Sequence, residues 1–167
     1  MARILVINPG STSTKVALYE LVDDTATPLF EEMLHHSNEE LAKYSHIYDQ
    51  YEFRRDAVLR LLNQQGTSIQ SLDAVVGRGG VLKPIPSGTY RVNETMLHEM
   101  RYAPRREHAS NLGCALAHEI AVQVGIPAFI VDPVSVDEFE PLARVSGLPE
   151  VERRSFSHAL NLKATCR

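Results

Sequence analysis

Hydroxyl-bearing residues crowd one short segment near the amino terminus, between two apolar runs. Residues 8–15 read Asn-Pro-Gly-Ser-Thr-Ser-Thr-Lys. Such a turn can direct successive backbone N–H groups and side-chain oxygens into one concavity, which holds a phosphate group and reaches its Mg²⁺ ion. Lys15 adds a positive charge nearby. The spacing is not that of a Walker A loop, and an ordinary polar turn is an equally good interpretation of this segment alone.

A second candidate is Arg78, which lies among glycines in Gly77–Gly80, directly after the apolar segment 72–76. A dinucleotide-binding fingerprint is excluded, because Leu82 stands where its third glycine belongs and Pro84 prevents a continuing helix. Glycines permit a close backbone approach, and arginine offers a planar fork to a carboxylate or phosphate. An arginine in a flexible surface turn is the alternative.

Two further polar positions stand where α/β proteins bind ligands. Arg105–Arg106 and His108 precede a helix that is predicted to begin at Ser110, and a helix amino terminus attracts anions. His108 either donates to an anionic oxygen or is a solvated histidine before the helix. Asp132 ends a predicted strand, where it either faces a ligand or opens a turn.

The elements that must position these residues follow from hydrophobic periodicity and turn chemistry. Strands are predicted at 4–7, 15–20, 28–34, 72–76 and 128–131, and helices at 51–65, 93–100, 110–124 and from 157 onward. The first strand is continuously apolar, which favours burial on both faces. Residues 135–138 are typical of a capping box. A hairpin followed by alternating helices and strands predicts an α/β layer fold with a mixed sheet.

Composition excludes several classes of protein. The 167 residues suit one domain, and 17 Lys and Arg against 21 Asp and Glu give a net charge of −4, which offers no basic face to a nucleic acid. Cys114 and Cys166 form no disulfide framework, and Cys114 is predicted to be a buried, inert thiol. The apolar run 4–7 is too short for a secretory signal, and no transmembrane span is evident. We expect a cytoplasmic protein without nucleic-acid or membrane partners.

Five segments, taken together in order, resemble the amino-terminal half of the butyrate kinases, a branch of the acetate kinase family in the actin–hexokinase superfamily. They are residues 4–15, 76–85, 107–113, 131–134 and 157–161. The resemblance implies a ribonuclease-H-like domain with a five-stranded sheet, the amino-terminal half of an actin-like ATPase fold. It also implies reversible phosphoryl transfer from ATP to butyrate with Mg²⁺, and a homodimer in the complete protein.

The resemblance also implies roles for particular residues. The residues that approach the acyl carboxylate and the transferring phosphoryl group, or line that cleft, are Arg78, His108, Asp132 and His158. The residues at the phosphates of ATP are Asn8, Gly10, Ser11, Ser13 and Lys15. Mg²⁺ would contact Asn8 and Ser11, directly or through water.

The family continues into a second domain that carries the adenosine site, and this sequence stops before it. We therefore expect residues 1–167 to be an acyl- and phosphate-binding domain, truncated at the start of the following region and inactive by itself. Two alternatives stay open: a kinase for acetate, propionate or a branched-chain acid, and a non-catalytic phosphate-binding half-domain.

Overall fold

A mixed sheet with helices packed against it forms the framework of residues 1–102, 106–155 and 165, which the computed structural model describes. The strands are β1 (Ala2–Pro9), β2 (Ser13–Val22), β3 (Thr25–His35), β4 (Ala74–Arg78), β5 (Thr89–Arg91) and β6 (Ala128–Val131). The α-helices are α1 (Asn38–Leu41), α2 (Tyr51–Gln64), α3 (Glu94–Tyr102) and α4 (Asn111–Val124). Short 3₁₀ helices lie at Tyr48–Gln50, Ile69–Ser71 and Pro141–Arg144. The predicted α/β class and mixed sheet are confirmed.

The strand order β3-β2-β1-β4-β6-β5 places β1 where the antiparallel half of the sheet meets the parallel half. β1 pairs antiparallel with β2 and parallel with β4, and β4 pairs parallel with β6. The carboxyl ends of β1, β4 and β6 therefore meet at one edge of the sheet. This edge is the place where α/β sheets bind ligands.

The core lies between one face of the sheet and helices α2 and α4. In β1, Leu5 and Ile7 are fully buried, whereas Ile4 and Val6 are only half-buried. The predicted burial of both faces of this strand therefore holds fully for one face and only in part for the other. The helix predicted at 110–124 is confirmed as α4, whose fully buried side chains Leu112, Leu116 and Ile120 recur every four residues. Cys114 is fully buried on the same helix, and burial raises the pKa of its thiol to about 12, which confirms an inert thiol.

Two elements differ from the sequence-based expectation. The sheet has six strands instead of five, because β5 is an exposed antiparallel edge strand of three residues, too short to show a period. Residues 135–138 do not open a helix. The carboxylate of Glu138 instead accepts hydrogen bonds from the backbone N–H (3.0 Å) and the hydroxyl of Ser87. The predicted helix from 157 lies outside the described residues.

The fourth strand also begins and ends later than predicted. The segment before Asp73 forms the 3₁₀ turn Ile69–Ser71, in which the Ser68 hydroxyl accepts a hydrogen bond from the Gln70 N–H, and β4 starts at Ala74. The strand then continues through Gly77 to Arg78, which pairs with Val131 of β6. Arg78 is thereby fixed at the carboxyl end of a strand.

Helix α4 crosses β4 at a pair of glycines. A Cβ atom on Gly77 would overlap the backbone carbonyl of Gly113, and a Cβ atom on Gly113 would overlap the carbonyl oxygen of Arg78. The two backbones are therefore in direct contact, as the predicted role of the glycines requires. This contact brings the amino terminus of α4 to the end of β4.

Replacing Gly113 by alanine is expected to destabilise the chain by about 3 kcal/mol, because the methyl group meets backbone that cannot move aside cheaply. The higher helix propensity of alanine returns only about 1 kcal/mol. Urea unfolding followed by circular dichroism measures the effect. Gly147→Ala is the matched control, since a Cβ atom there meets nothing within 4 Å. Equal stability of the two variants would contradict the proposed backbone contact.

No helix among the described residues is both long enough and apolar enough to cross a lipid bilayer.

Candidate functional site

A cavity of about 410 Å³ opens at the carboxyl edge of the sheet, between the β1–β2 turn, the end of β4 and the start of α4. This volume suits a small-molecule ligand. Seven of the residues predicted from the sequence line it together: Asn8, Gly10, Ser11, Ser13, Lys15, Arg78 and His108. The fold thus brings three segments that are far apart in the sequence to one site.

The charge of the cavity has one sign. Lys15, Arg78 and Arg106 line it with exposed side chains, and no Asp or Glu is among its described lining residues. Arg106 belongs to the cationic cluster that the sequence shows before α4, although it was not predicted as a site residue. Three cations without a carboxylate favour an anionic ligand.

The β1–β2 turn is closed by a hydrogen bond of 2.7 Å from the Gly10 N–H to the Ser13 carbonyl oxygen. The Ser11 side chain is exposed and that of Ser13 is half-buried, and both line the cavity. Among the described residues neither hydroxyl has a hydrogen-bond partner. The turn therefore presents two hydroxyl groups to a ligand.

Behind this turn lies Arg54 of α2, whose side chain is completely buried. Its guanidinium donates to the carbonyl oxygens of Gly10 (2.8 Å), Ser11 (3.0 Å) and Ser13 (3.0 Å). It also donates to the side chain of Gln50, at 2.8 and 3.1 Å. Burial lowers the pKa of Arg54 to about 10, so the group stays protonated at neutral pH.

His36 completes the support of the turn. Its Nε2 lies 2.8 Å from the hydroxyl of Thr14, which also accepts a hydrogen bond of 3.1 Å from Arg54. Burial, reinforced by the nearby positive charge of Arg54, lowers the pKa of His36 to about 4. The ring is thus neutral at pH 7 and is hydrogen-bonded to the Thr14 hydroxyl.

Arg78 is held by tight packing of the glycines that follow it. A Cβ atom on Gly79 would lie 2.7 Å from the Cα of Pro133, and one on Gly80 would overlap the side chain of Asn111. The Asn111 amide oxygen accepts from the Val81 N–H at 2.9 Å, and its amide nitrogen donates to the Arg106 carbonyl at 3.0 Å. Asn111 therefore ties together the two segments that carry Arg78 and Arg106.

His108 interacts with the start of α4. Its Nδ1 accepts a hydrogen bond of 3.2 Å from the Ser110 N–H and lies 2.7 Å from the Ser110 hydroxyl. The neutral ring therefore carries its proton on Nε2. Ser110 is the N-cap residue of α4, where the helix was predicted to begin, but its hydroxyl makes no capping hydrogen bond and pairs with His108 instead.

Asp132 is not among the described residues that line the cavity. Its backbone adopts φ 44°, and its carboxylate accepts a hydrogen bond of 2.8 Å from the Gly88 N–H. The Asp132 N–H in turn donates to the Gly88 carbonyl at 3.0 Å. These bonds tie the end of β6 to the residue that precedes β5, and a ligand role for Asp132 stays a prediction. His158 lies outside the described residues.

The donor atoms of the cavity limit how a metal could bind. No group of three or more His, Cys, Asp or Glu side chains converges anywhere in the described part of the chain. Asn8 and Ser11 offer only neutral oxygen atoms. Mg²⁺ commonly keeps several waters and binds through substrate phosphates. The residues fit a hydrated Mg²⁺ that arrives with a phosphate ligand, contacted by Asn8 and Ser11.

The fold and the site together define an α/β domain with a cavity lined by cations at the carboxyl edge of a mixed sheet. No family model matches the sequence. The structure is similar to that of Porphyromonas gingivalis acetate kinase, with a TM-score of 0.60 and 17% identity over 93% of this chain and 45% of that chain.

Weaker structural neighbours are Entamoeba histolytica acetate kinase and Thermus thermophilus RuvC in complex with a Holliday junction. The first has a TM-score of 0.49 and 14% identity over 89% of this chain and 39% of that chain. The second has a TM-score of 0.46 and 16% identity over 80% of this chain and 65% of that chain. The predicted ribonuclease-H-like fold class is confirmed. The chain spans less than half the length of the P. gingivalis acetate kinase.

Proposed function

We propose that this chain is the phosphate- and acyl-binding domain of a kinase that transfers the γ-phosphoryl group of ATP reversibly to butyrate, giving butyryl phosphate and ADP. The observation that carries the proposal is the cavity at the carboxyl edge of the sheet. There Lys15, Arg78 and Arg106 meet without a carboxylate among the described lining residues. The shared fold with an acetate kinase supports the same class of reaction.

The residue types match what phosphoryl transfer requires, which is charge neutralisation and alignment of the reacting groups. The polar turn would bind the phosphates of ATP, and Arg78 would hold the carboxylate nucleophile and the transferring group with its planar fork. His108 would donate from Nε2. Mg²⁺, when bound, neutralises phosphate charge. No general base is needed, because a carboxylic acid is already ionised at neutral pH.

Apolar side chains in the cavity support a short alkyl acid as the acceptor. Val81 and Val134 line it together with Arg78, so an alkyl tail would find apolar contacts near the group that binds its carboxylate. One methylene is worth about 1–3 kcal/mol in such a pocket. Comparing kcat/KM for acetate, propionate, butyrate and isobutyrate in the complete protein tests the substrate. Butyrate should be highest, and a maximum at acetate would assign an acetate kinase.

A second candidate is a phosphate-binding half-domain without turnover. The cationic lining of the cavity accounts for phosphate binding without requiring turnover. Titration calorimetry with MgATP, combined with an assay of acyl phosphate formation, separates the two candidates. A kinase binds MgATP and forms acyl phosphate. A non-catalytic domain binds MgATP, but the protein that contains it forms no acyl phosphate.

Replacing both Ser11 and Ser13 by alanine is expected to raise the KM for MgATP of the complete protein at least tenfold, since hydrogen bonds to charged groups contribute about 1.5–3 kcal/mol each. The fold should be unaffected, because these hydroxyls have no partner among the described residues. Steady-state kinetics and circular dichroism measure the two effects. Thr27→Ala, at an exposed position of β3, is the control. An unfolded double variant would show that the turn is structural.

A further inference from the structure

The charge of Arg54 has no counter-ion among the described residues. All of its hydrogen-bond acceptors are neutral oxygen atoms, provided by the β1–β2 turn and by Gln50. The side chain of Arg54 is nevertheless 0% exposed. A buried cation without a carboxylate is costly, and proteins rarely keep one. Its positive potential therefore acts on whatever lies on the other side of the turn.

The hydrogen bonds of Arg54 also set the direction of the turn's amide groups. In a planar trans peptide the N–H points opposite to the preceding carbonyl. Because the carbonyls of Gly10 and Ser11 point at the guanidinium, the N–H groups of Ser11 and Thr12 point away from it. Because Ser11 lines the cavity, this arrangement favours the presentation of backbone N–H donors to a ligand in the cavity.

We propose that Arg54 is the positioning residue of the phosphate-binding turn: its fork draws the turn's carbonyls inward, and its uncompensated charge increases the affinity of the turn for a phosphate group. This inference rests on the proposed function, because it assumes that the turn binds phosphate. It assigns a role to a residue that does not line the cavity and that contacts no ligand.

The neighbours of Arg54 are consistent with this role. His36, which shares the Thr14 hydroxyl with Arg54, is neutral at pH 7 and adds no charge of either sign. Gln50 takes two of the guanidinium hydrogen bonds with an uncharged oxygen. A glutamate at that position would have the same shape and would make the same hydrogen bonds, but it would cancel the charge.

The test compares Gln50 with glutamate, which has the same shape but carries a negative charge. Titration calorimetry of the 167-residue chain with inorganic tripolyphosphate should show about tenfold weaker binding for Gln50→Glu. A loss of this size corresponds to one unit charge acting on one unit of ligand charge at a separation of about 10 Å and an effective dielectric constant of about 20. The thermal midpoint should stay equal or rise, since the new ion pair is buried and hydrogen-bonded. A purely structural role for Arg54 predicts unchanged affinity.

A second variant tests the fork. Arg54→Lys keeps the charge but cannot bridge three carbonyls, so tripolyphosphate binding should weaken at least tenfold. The matched control is Arg55→Lys, because Arg55 pairs with Asp56 on the surface of the same helix and should leave the affinity unchanged. If Arg54→Lys fails to fold, Gln50→Glu decides alone.

The outcomes separate two kinds of failure. A wild-type chain that does not bind tripolyphosphate overturns the proposed function and this inference with it. A wild-type chain that binds, together with a Gln50→Glu variant of equal affinity, overturns only the role of Arg54.

Discussion

Replacing Arg78 by lysine is expected, under the proposed function, to lower kcat/KM for butyrate by about 1000-fold, the scale of an arginine that acts on a transferring phosphoryl group. Lysine keeps the charge but offers a single point donor in place of a planar fork. Arg78 is fixed at the end of β4, and the segment after it is packed against Pro133 and Asn111, so the backbone leaves little freedom to compensate. Coupled measurement of ADP formation gives the rate constants.

The matched control for Arg78 is Arg91→Lys, because Arg91 is an exposed arginine on the edge strand β5. It should leave kcat/KM within twofold of wild type. An Arg78→Lys enzyme within tenfold of wild type would remove Arg78 from the catalytic residues. A loss confined to KM for butyrate would restrict its role to binding the carboxylate.

The second large effect concerns the chain by itself, which is expected to show no acyl kinase turnover. Kinases that close two domains over a nucleotide exclude water and align the reactants by that closure. Correct alignment alone is worth about 7–11 kcal/mol of a reaction barrier. Under the proposed function, the β1–β2 turn and Arg78 supply the phosphate- and carboxylate-binding side of such a site.

A hydroxamate assay with butyrate, ATP and Mg²⁺ measures this turnover. The complete protein in the same assay is the positive control, and tripolyphosphate binding by the isolated chain shows that it is folded. Butyryl hydroxamate formed by the chain at a rate near that of the complete protein would contradict the two-domain requirement. It would also place the nucleotide site within these 167 residues.

Local sequence signals predicted the elements that form the site. Turn chemistry between two apolar runs gave the β1–β2 hairpin, and the four-residue spacing of Leu112, Leu116 and Ile120 gave α4. Gly77 and Gly113 allow two backbones to come into direct contact. A sequence shows only that glycine permits such a close approach, and it does not show which segment approaches. The edge strand β5 was not predicted, because a strand of three residues with one half-buried side chain is too short to show an alternation of apolar and polar residues.

The support of the site was not predicted, because it depends on contacts between distant segments. Arg54 lies 40 or more positions from its partners in the turn. One signal was present in the sequence: Arg54 occupies the same helical stripe as Val58 and Leu61, both of which are buried. A charged residue on an apolar stripe indicates a buried partner. Asn111 gave no comparable signal, since a polar residue is ordinary in the first turn of a helix.

The distance in sequence between Arg54 and the turn has a consequence for how the molecule folds. The β1–β2 hairpin can form from contiguous residues, but the carbonyl groups of its turn acquire their hydrogen bonds from Arg54 only when α2 docks. A growing polypeptide therefore has the hairpin before it has a binding site, and at about 5–20 residues per second the helix follows within seconds. Under the proposed function, a phosphate ligand binds the docked state preferentially, so by mass action it stabilises the packing of α2 against the turn.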